Sequence, residues 1–215
     1  MAPPMFDNGG SNLTADSARA LAAHERRHGR RHVTVLRVAK IMRDHGDELC
    51  VIRNISAGGV MAHLYAPATI GERVILEFKS GVRLAGQVRW VRDDTAGIQF
   101  ADVIDVVRVL AGEDDVEGSF EPRAPRLGVG LPAVMRVGVR VHPVTVCDIS
   151  QGGLKFRAIE STAAGQKLVF RIAGLPPLAG SVRWRDASYA GIAFETPLPL
   201  AVLAQWAAET DRPRA

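Results

Sequence analysis

Cysteine is nearly absent from this 215-residue chain: Cys50 and Cys147 stand alone, without a CxxC partner, in apolar strand-like segments, the setting of buried free thiols. Long apolar runs are missing too. No stretch reaches the ~18 residues that cross a bilayer, and Met1 to Gly10 lacks the basic start and apolar run of a signal peptide. A cytoplasmic protein without a transmembrane segment is expected. Charge of one sign is scarce: 27 Lys and Arg stand against 23 Asp and Glu, a net charge of +4. Residues 1–112 hold 15 basic and 12 acidic residues, so the small excess sits mainly in the first half. That balance suits a local anion site and disfavours nucleic acid as a partner. Ser56 and Ser150 have no His and acid partners at a recognisable spacing, so an enzyme is not expected. His24, His28 and His32 recur every four residues, but Gly29 opposes a helix and the adjacent arginines oppose a cation, so neither a metal nor a cofactor is expected.

What the chain does have is a duplication. Asn54-Ile-Ser-Ala-Gly-Gly59 returns as Asp148-Ile-Ser-Gln-Gly-Gly153, 94 residues on. The same offset carries Gly71 to Gly165, Leu84-Ala-Gly-Gln-Val-Arg-Trp90 to Leu178-Ala-Gly-Ser-Val-Arg-Trp184, and Ala96-Gly-Ile-Gln-Phe100 to Ala190-Gly-Ile-Ala-Phe194. Across residues 54–100, 15 of 47 pairs are identical without a gap. A fixed period marks duplicated units, and one this long suits two small domains rather than a solenoid.

Within the first copy, short alternating runs separated by turn residues predict six strands: 33–41, 48–53, 59–64, 73–78, 83–92 and 96–100. They imply an antiparallel sheet closed into a small barrel, mainly β, with one wet face and one buried face on which Trp90 and Trp184 are expected. A helix capped by Asp102 closes the module, and the strand succession restarts near Ala133. A second helix runs from Pro197 to Glu209, and a short one is expected from Thr14. The resulting division is a flexible N-terminus with a short helix over 1–25, a domain over 26–112, an acidic Gly- and Pro-containing linker over 113–125, and a second domain over 126–215.

Two segments carry chemistry. Arg26-Arg27-His28-Gly29-Arg30-Arg31 packs four guanidiniums just ahead of the first strand. Arginine stays charged, meets phosphate oxygens with a planar fork, and pairs with O6 and N7 of guanine. Asn54-Ile-Ser-Ala-Gly-Gly59 reads as a turn whose Asn and Ser bond nearby backbone and whose glycines allow positive φ and close approach of a ligand.

Arg27-x-x-x-Arg31 followed by Asn54-x-Ser56-x-x-Gly59 resembles the paired RxxxR and (D/N)xSxxG motifs of the PilZ domain. Arg26 and Arg30 satisfy the first motif in the alternative register. The resemblance implies six-stranded barrels and a receptor for the bacterial second messenger cyclic di-GMP. It assigns the arginines to clamping phosphate and guanine, and Asn54, Ser56 and Gly59 to contacting a guanine from the barrel surface. The second copy keeps Asp148, Ser150 and Gly153, but of the clamp only Arg126 lies at a comparable spacing. Arg136 and Arg140 satisfy RxxxR but correspond to Met42 and Gly46. The second site is therefore expected to be weak or lost. On this reading, ligand binding orders the arginine segment and signals to an unidentified protein partner such as motility or envelope and exopolysaccharide machinery. The alternative is a ligand-independent interaction scaffold of two such barrels.

Overall fold

The computed structural model describes residues 33–114 and 124–210. The helix expected from Thr14 and the arginine cluster lie outside the described residues. β1 (Val33–Arg43), β2 (Gly46–Ser56), β3 (Gly59–Leu64), β4 (Arg73–Glu77), β5 (Arg83–Arg92) and β6 (Thr95–Phe100) form a closed antiparallel barrel in the order β1-β2-β3-β6-β5-β4. The helix α1 (Val106–Asp114) comes next. β7 (Leu127–Val137), β8 (Arg140–Ser150), β9 (Gly153–Arg157), β10 (Lys167–Arg171), β11 (Leu178–Arg185) and β12 (Tyr189–Phe194) close a second barrel of the same order, succeeded by α2 (Leu200–Glu209). Both barrels and their helices begin 94 residues apart, at Val33 and Leu127 and at Val106 and Leu200.

Period-2 patterning explains the strands. On β3, Val60, Ala62 and Leu64 enter the core while Met61 and His63 face outward, as a closed sheet with a dry interior demands. Inside the second barrel, Phe156 and Phe170 meet edge to face at 5.0 Å.

Among the boundaries that differ from expectation, three have a local cause. The second copy starts at Leu127, not Ala133. Its first strand is disguised by Gly128, Gly130 and Pro132, and a register shift between Gly128 and Leu131, with Gly130 at φ 57°, accommodates the irregularity. The cap of α1 is Asp105, whose Oδ1 accepts the Arg108 N–H at 3.2 Å, rather than Asp102. The second helix begins at Leu200 because Pro199 remains extended.

The barrels pack on each other. Leu49 projects from β2 of the first barrel, is 1% exposed, and belongs to the hydrophobic cluster of the second, against which Val38 and Tyr65 also pack. Its receivers are α2 and β7.

On the first barrel Lys40 Nζ lies 3.3 Å from Asp47 and 3.2 Å from Glu77, and Arg83 Nε donates to Glu77 Oε2 at 2.6 Å. Partial burial pushes the Glu77 carboxyl up, but the hydrogen bonds from Arg83 and Lys40 outweigh it and hold the group below its ordinary value. A carboxylate with a lowered folded-state pKa contributes stability that is present above its unfolded value and is lost as pH falls through the folded one. Arg83→Ala should therefore raise the Glu77 midpoint in a carboxyl NMR titration. A midpoint that stays put would show that Arg83 does not hold the charge.

Candidate functional site

The Asn54–Gly59 turn joins β2 to β3 and opens on the outer face of the first barrel. Ser56 is buried, and its hydroxyl donates to the Gly59 carbonyl at 3.1 Å, closing the turn. Asn54 is half-buried and stands opposite Thr34 on β1 and Met61 on β3. Neither Gly58 nor Gly59 has positive φ, contrary to expectation. Gly59 is required for another reason: a Cβ there would lie 2.4 Å from the Ile98 carbonyl oxygen of β6. The missing side chain lets two strands approach, as at Gly153, where a Cβ would meet the Ile192 carbonyl at 2.1 Å.

Trp90 departs most from the sequence reading. It is 42% exposed, and Trp184 is 41% exposed, so neither is a core residue. The cause is a register shift in β5: Val88 faces Ile98 and Trp90 faces Gly97, leaving Arg89 as an extra residue. A bulge of one residue reverses inside and outside for the rest of the strand. Trp184 is turned out by the same shift between Val182 and Trp184. Each indole lies on a glycine, since a Cβ on Gly97 would sit 2.0 Å from Trp90 Nε1 and one on Gly191 2.1 Å from Trp184 Nε1. The repeated Trp and Gly were visible in sequence, but strict alternation concealed the pairing.

Asn54, Ser56, Gly59, Met61, Trp90 and Gln99 are among the residues lining a groove of about 350 Å³, within the ~300–1,000 Å³ usual for small-ligand sites. Arg89 lies at its edge, its Nε donating to Gln99 Oε1 at 2.6 Å. A larger groove of about 700 Å³ over β4 and β5 shares Arg89 and Gln99. It holds none of the turn residues, so the smaller groove is the candidate site. It combines a flat aromatic surface, amide and hydroxyl groups, and a guanidinium, a set suited to a planar base with polar edges.

The second barrel keeps the scaffold and changes the lining. Ser150 donates to the Gly153 carbonyl at 3.1 Å, as in the first barrel. Asp148 replaces Asn54 and is already engaged by Arg126 Nη1 at 2.5 Å and Lys155 Nζ at 3.3 Å. Lys155 stands where the first barrel has Met61, and its ammonium lies 5.3 Å from the Tyr189 ring centre. The structure thus brings Arg126, Asp148, Ser150 and Gly153 to one end of the barrel. Arg136 and Arg140 lie at the opposite β7–β8 hairpin, where Arg136 Nη1 donates to the Gly138 carbonyl.

Burial pushes the Cys50 thiol up to about 12. Cys147, expected to be buried, is only half-buried because it is the extra residue of a register shift between Val146 and Asp148. Burial raises its pKa, with opposing effects from Lys155 and Arg157. Among the described residues no group of three or more His, Cys, Asp or Glu could hold a metal, and no helix is long and apolar enough to cross a membrane.

A family model described as the PilZ domain matches residues 24–111 and again 121–208. No curated protein matches the chain. Among solved structures, similar ones include Borreliella burgdorferi PlzA in complex with cyclic di-GMP, at 11% identity over 88% of this chain and 98% of that one, TM-score 0.33. Another is the Bacillus subtilis inhibitor of motility MotI, at 12% identity over 81% and 95%, TM-score 0.33. Escherichia coli YcgR in complex with cyclic di-GMP has 9% identity over 84% and 80%, TM-score 0.27.

Proposed function

The chain belongs to the PilZ family, with two domains in tandem, and from that premise we propose that the first domain is a cyclic di-GMP receptor that catalyses nothing itself. The observation that carries this reading is the outer-face groove joining the Asn54–Gly59 turn to the exposed face of Trp90. A guanine can stack on the indole while Asn54 bonds its edge, and stacking of this kind contributes ~1–3 kcal/mol per base. The arginines enter through chain connectivity. Thr34 pairs with Asn54, and the arginine cluster ends three residues before Thr34 in the chain, a stretch that spans at most ~11 Å when fully extended. Arg27 and Arg31, or Arg26 and Arg30 in the other register, then supply charge-assisted bonds to the phosphates and to guanine O6 and N7.

Binding orders this segment against the groove, a change a partner protein can read. Motility or envelope machinery fits such a partner. A domain division of 26–112, 113–125 and 126–215 goes with this reading. The second domain binds the ligand weakly or not at all, because of the arginine clamp only Arg126 stands at a comparable spacing, and it is paired with Asp148. The scaffold alternative has no observation favouring it.

Calorimetric titration of cyclic di-GMP into the full chain tests the assignment. One site per chain is expected, with Asn54→Ala weakening it at least tenfold and Asp148→Ala leaving it unchanged. No heat of binding, or equal sensitivity to both variants, would overturn it.

A further inference from the structure

The larger groove of the first barrel, about 700 Å³, meets the candidate site only at a shared wall, Arg89 and Gln99. Its floor is a continuous apolar row across the sheet. Met42 on β1 pairs with Ile75 on β4, Ile75 pairs with Ala85 on β5, and Ala101, just past β6, donates its N–H to Ala85 O at 2.9 Å. Ile75 is 39% exposed, and Ala85 and Ala101 are exposed as well. Three strand spacings make this row ~14 Å long. A polar row runs beside it, in which Arg73 pairs with Gln87 and Gln87 with Gln99.

The second barrel has the same row with charged ends. In place of Met42, Ile75, Ala85 and Ala101 stand Arg136, Val169, Ala179 and Glu195, 94 positions on. The pairing is unchanged: Arg136 faces Val169, Val169 faces Ala179, and Glu195 donates its N–H to Ala179 O at 2.9 Å. The Glu195 carboxylate lies 3.9 Å from Lys167 Nζ. In the first copy the matching residues are Arg73 and Ala101, so that arginine is left without this acid. The copies also differ in what precedes them. At least 32 residues come before β1, which begins at Val33, whereas 12 separate Asp114 at the end of α1 from Leu127 at the start of β7. The copy with an arm long enough to return over its own barrel is the copy whose row is open.

We propose that this groove is the docking site for residues 14–25 of the same chain. The sequence indicates a helix there, and over these residues a helix rises ~18 Å, enough to lie along the row. Ala18, Leu21 and Ala22 recur at helical spacing and make a narrow apolar face whose alanines allow close approach to a floor of small side chains. Asp16 and Glu25 bring the acid that Arg73 lacks. Glu25 directly precedes Arg26, so a clamp seated in the smaller groove delivers the arm to the wall the two grooves share, a connection that rests on the receptor assignment above. Holding the clamp then also holds the arm, and the β4–β5 face is covered when ligand is bound.

Hydrogen–deuterium exchange of the full chain, with and without saturating cyclic di-GMP, tests this. Amides of residues 14–25 should be protected, and more so with the nucleotide. Ala101→Glu, which rebuilds the second copy's ion pair with Arg73, should make them exchange about tenfold faster. Leu21→Glu should do the same although glutamate is a good helix former. Ala101 is exposed, and unchanged exchange in β1 to β6 verifies that the barrel survives. Equal exchange of residues 14–25 in the wild type and both variants, in both states, would overturn the proposal. Protection that grows with chain concentration would also overturn it, because the arm of a neighbouring copy would then fill the groove. So would an Ala101→Glu chain that binds nucleotide more weakly with no change at residues 14–25, since the groove would then belong to the nucleotide. Failure of the receptor assignment reads differently: calorimetry shows no nucleotide binding, and exchange in the nucleotide-free chain alone decides the docking.

Discussion

Replacing Arg27 and Arg31 by alanine in the intact chain is expected to lower affinity for cyclic di-GMP by roughly ten- to hundredfold per arginine, since a charge-assisted hydrogen bond contributes ~1.5–3 kcal/mol. The physical basis is the fork geometry, so Lys at these positions should restore only part of the loss: an ammonium keeps the charge but cannot bond two acceptors in one plane. Arg26→Ala with Arg30→Ala separates the two registers, and the pair with the larger effect is the clamp. Isothermal calorimetry reads the affinity, and the steady-state fluorescence of the three tryptophans gives an independent signal if a base covers Trp90. Unchanged affinity in both double variants would remove the arginine cluster from the site and leave the Asn54–Gly59 groove without its anion clamp.

Leu49→Ala is expected to be the most destabilising single change in the first barrel's outer surface, at about 2–5 kcal/mol, the usual range for truncating a fully buried leucine. Leu49 is 1% exposed although it points away from its own barrel's core, because the second barrel covers it. For a chain of this length each kcal/mol lowers the unfolding temperature by roughly 2–4 °C, which differential scanning calorimetry measures. Leu36→Ala is the control: at 79% exposure it should cost under about 0.5 kcal/mol. Equal effects from the two would mean that the barrels do not hold each other in solution. The same contact explains why ligand titrations belong on the whole chain. A cut between the barrels would leave Leu49, Val38 and Tyr65 facing water.

Much of the architecture was legible because it rests on local periodicity. β3 and β5 have the limits that alternation indicates, and β1 and β2 differ only by running a few residues further. The turn residues were legible as well, since Ser56 and Gly59 recur as Ser150 and Gly153 with the same hydrogen bond. What escaped is non-local. Trp90 reads as a core residue until the extra residue at Arg89 is known, and that insertion exists only relative to β6. Gly59 reads as a flexible turn residue until Ile98 is found against it. Asp148 looks like an equivalent of Asn54 until Lys155, in Met61's place, and Arg126 are seen around its carboxylate.

By itself the sequence determined that there are two barrels, that their shared residues recur 94 positions apart, and which copy carries the arginines. These depend on residue type and spacing along the chain, which need no partner strand to define them. Only the tertiary structure decided which faces are open, because exposure depends on what another segment places opposite a residue. A bulge turned Trp90 from core to surface, and the second barrel turned Leu49 from surface to core. The groove beside the Asn54–Gly59 turn exists through the first of these reversals, and the docking of the two barrels through the second.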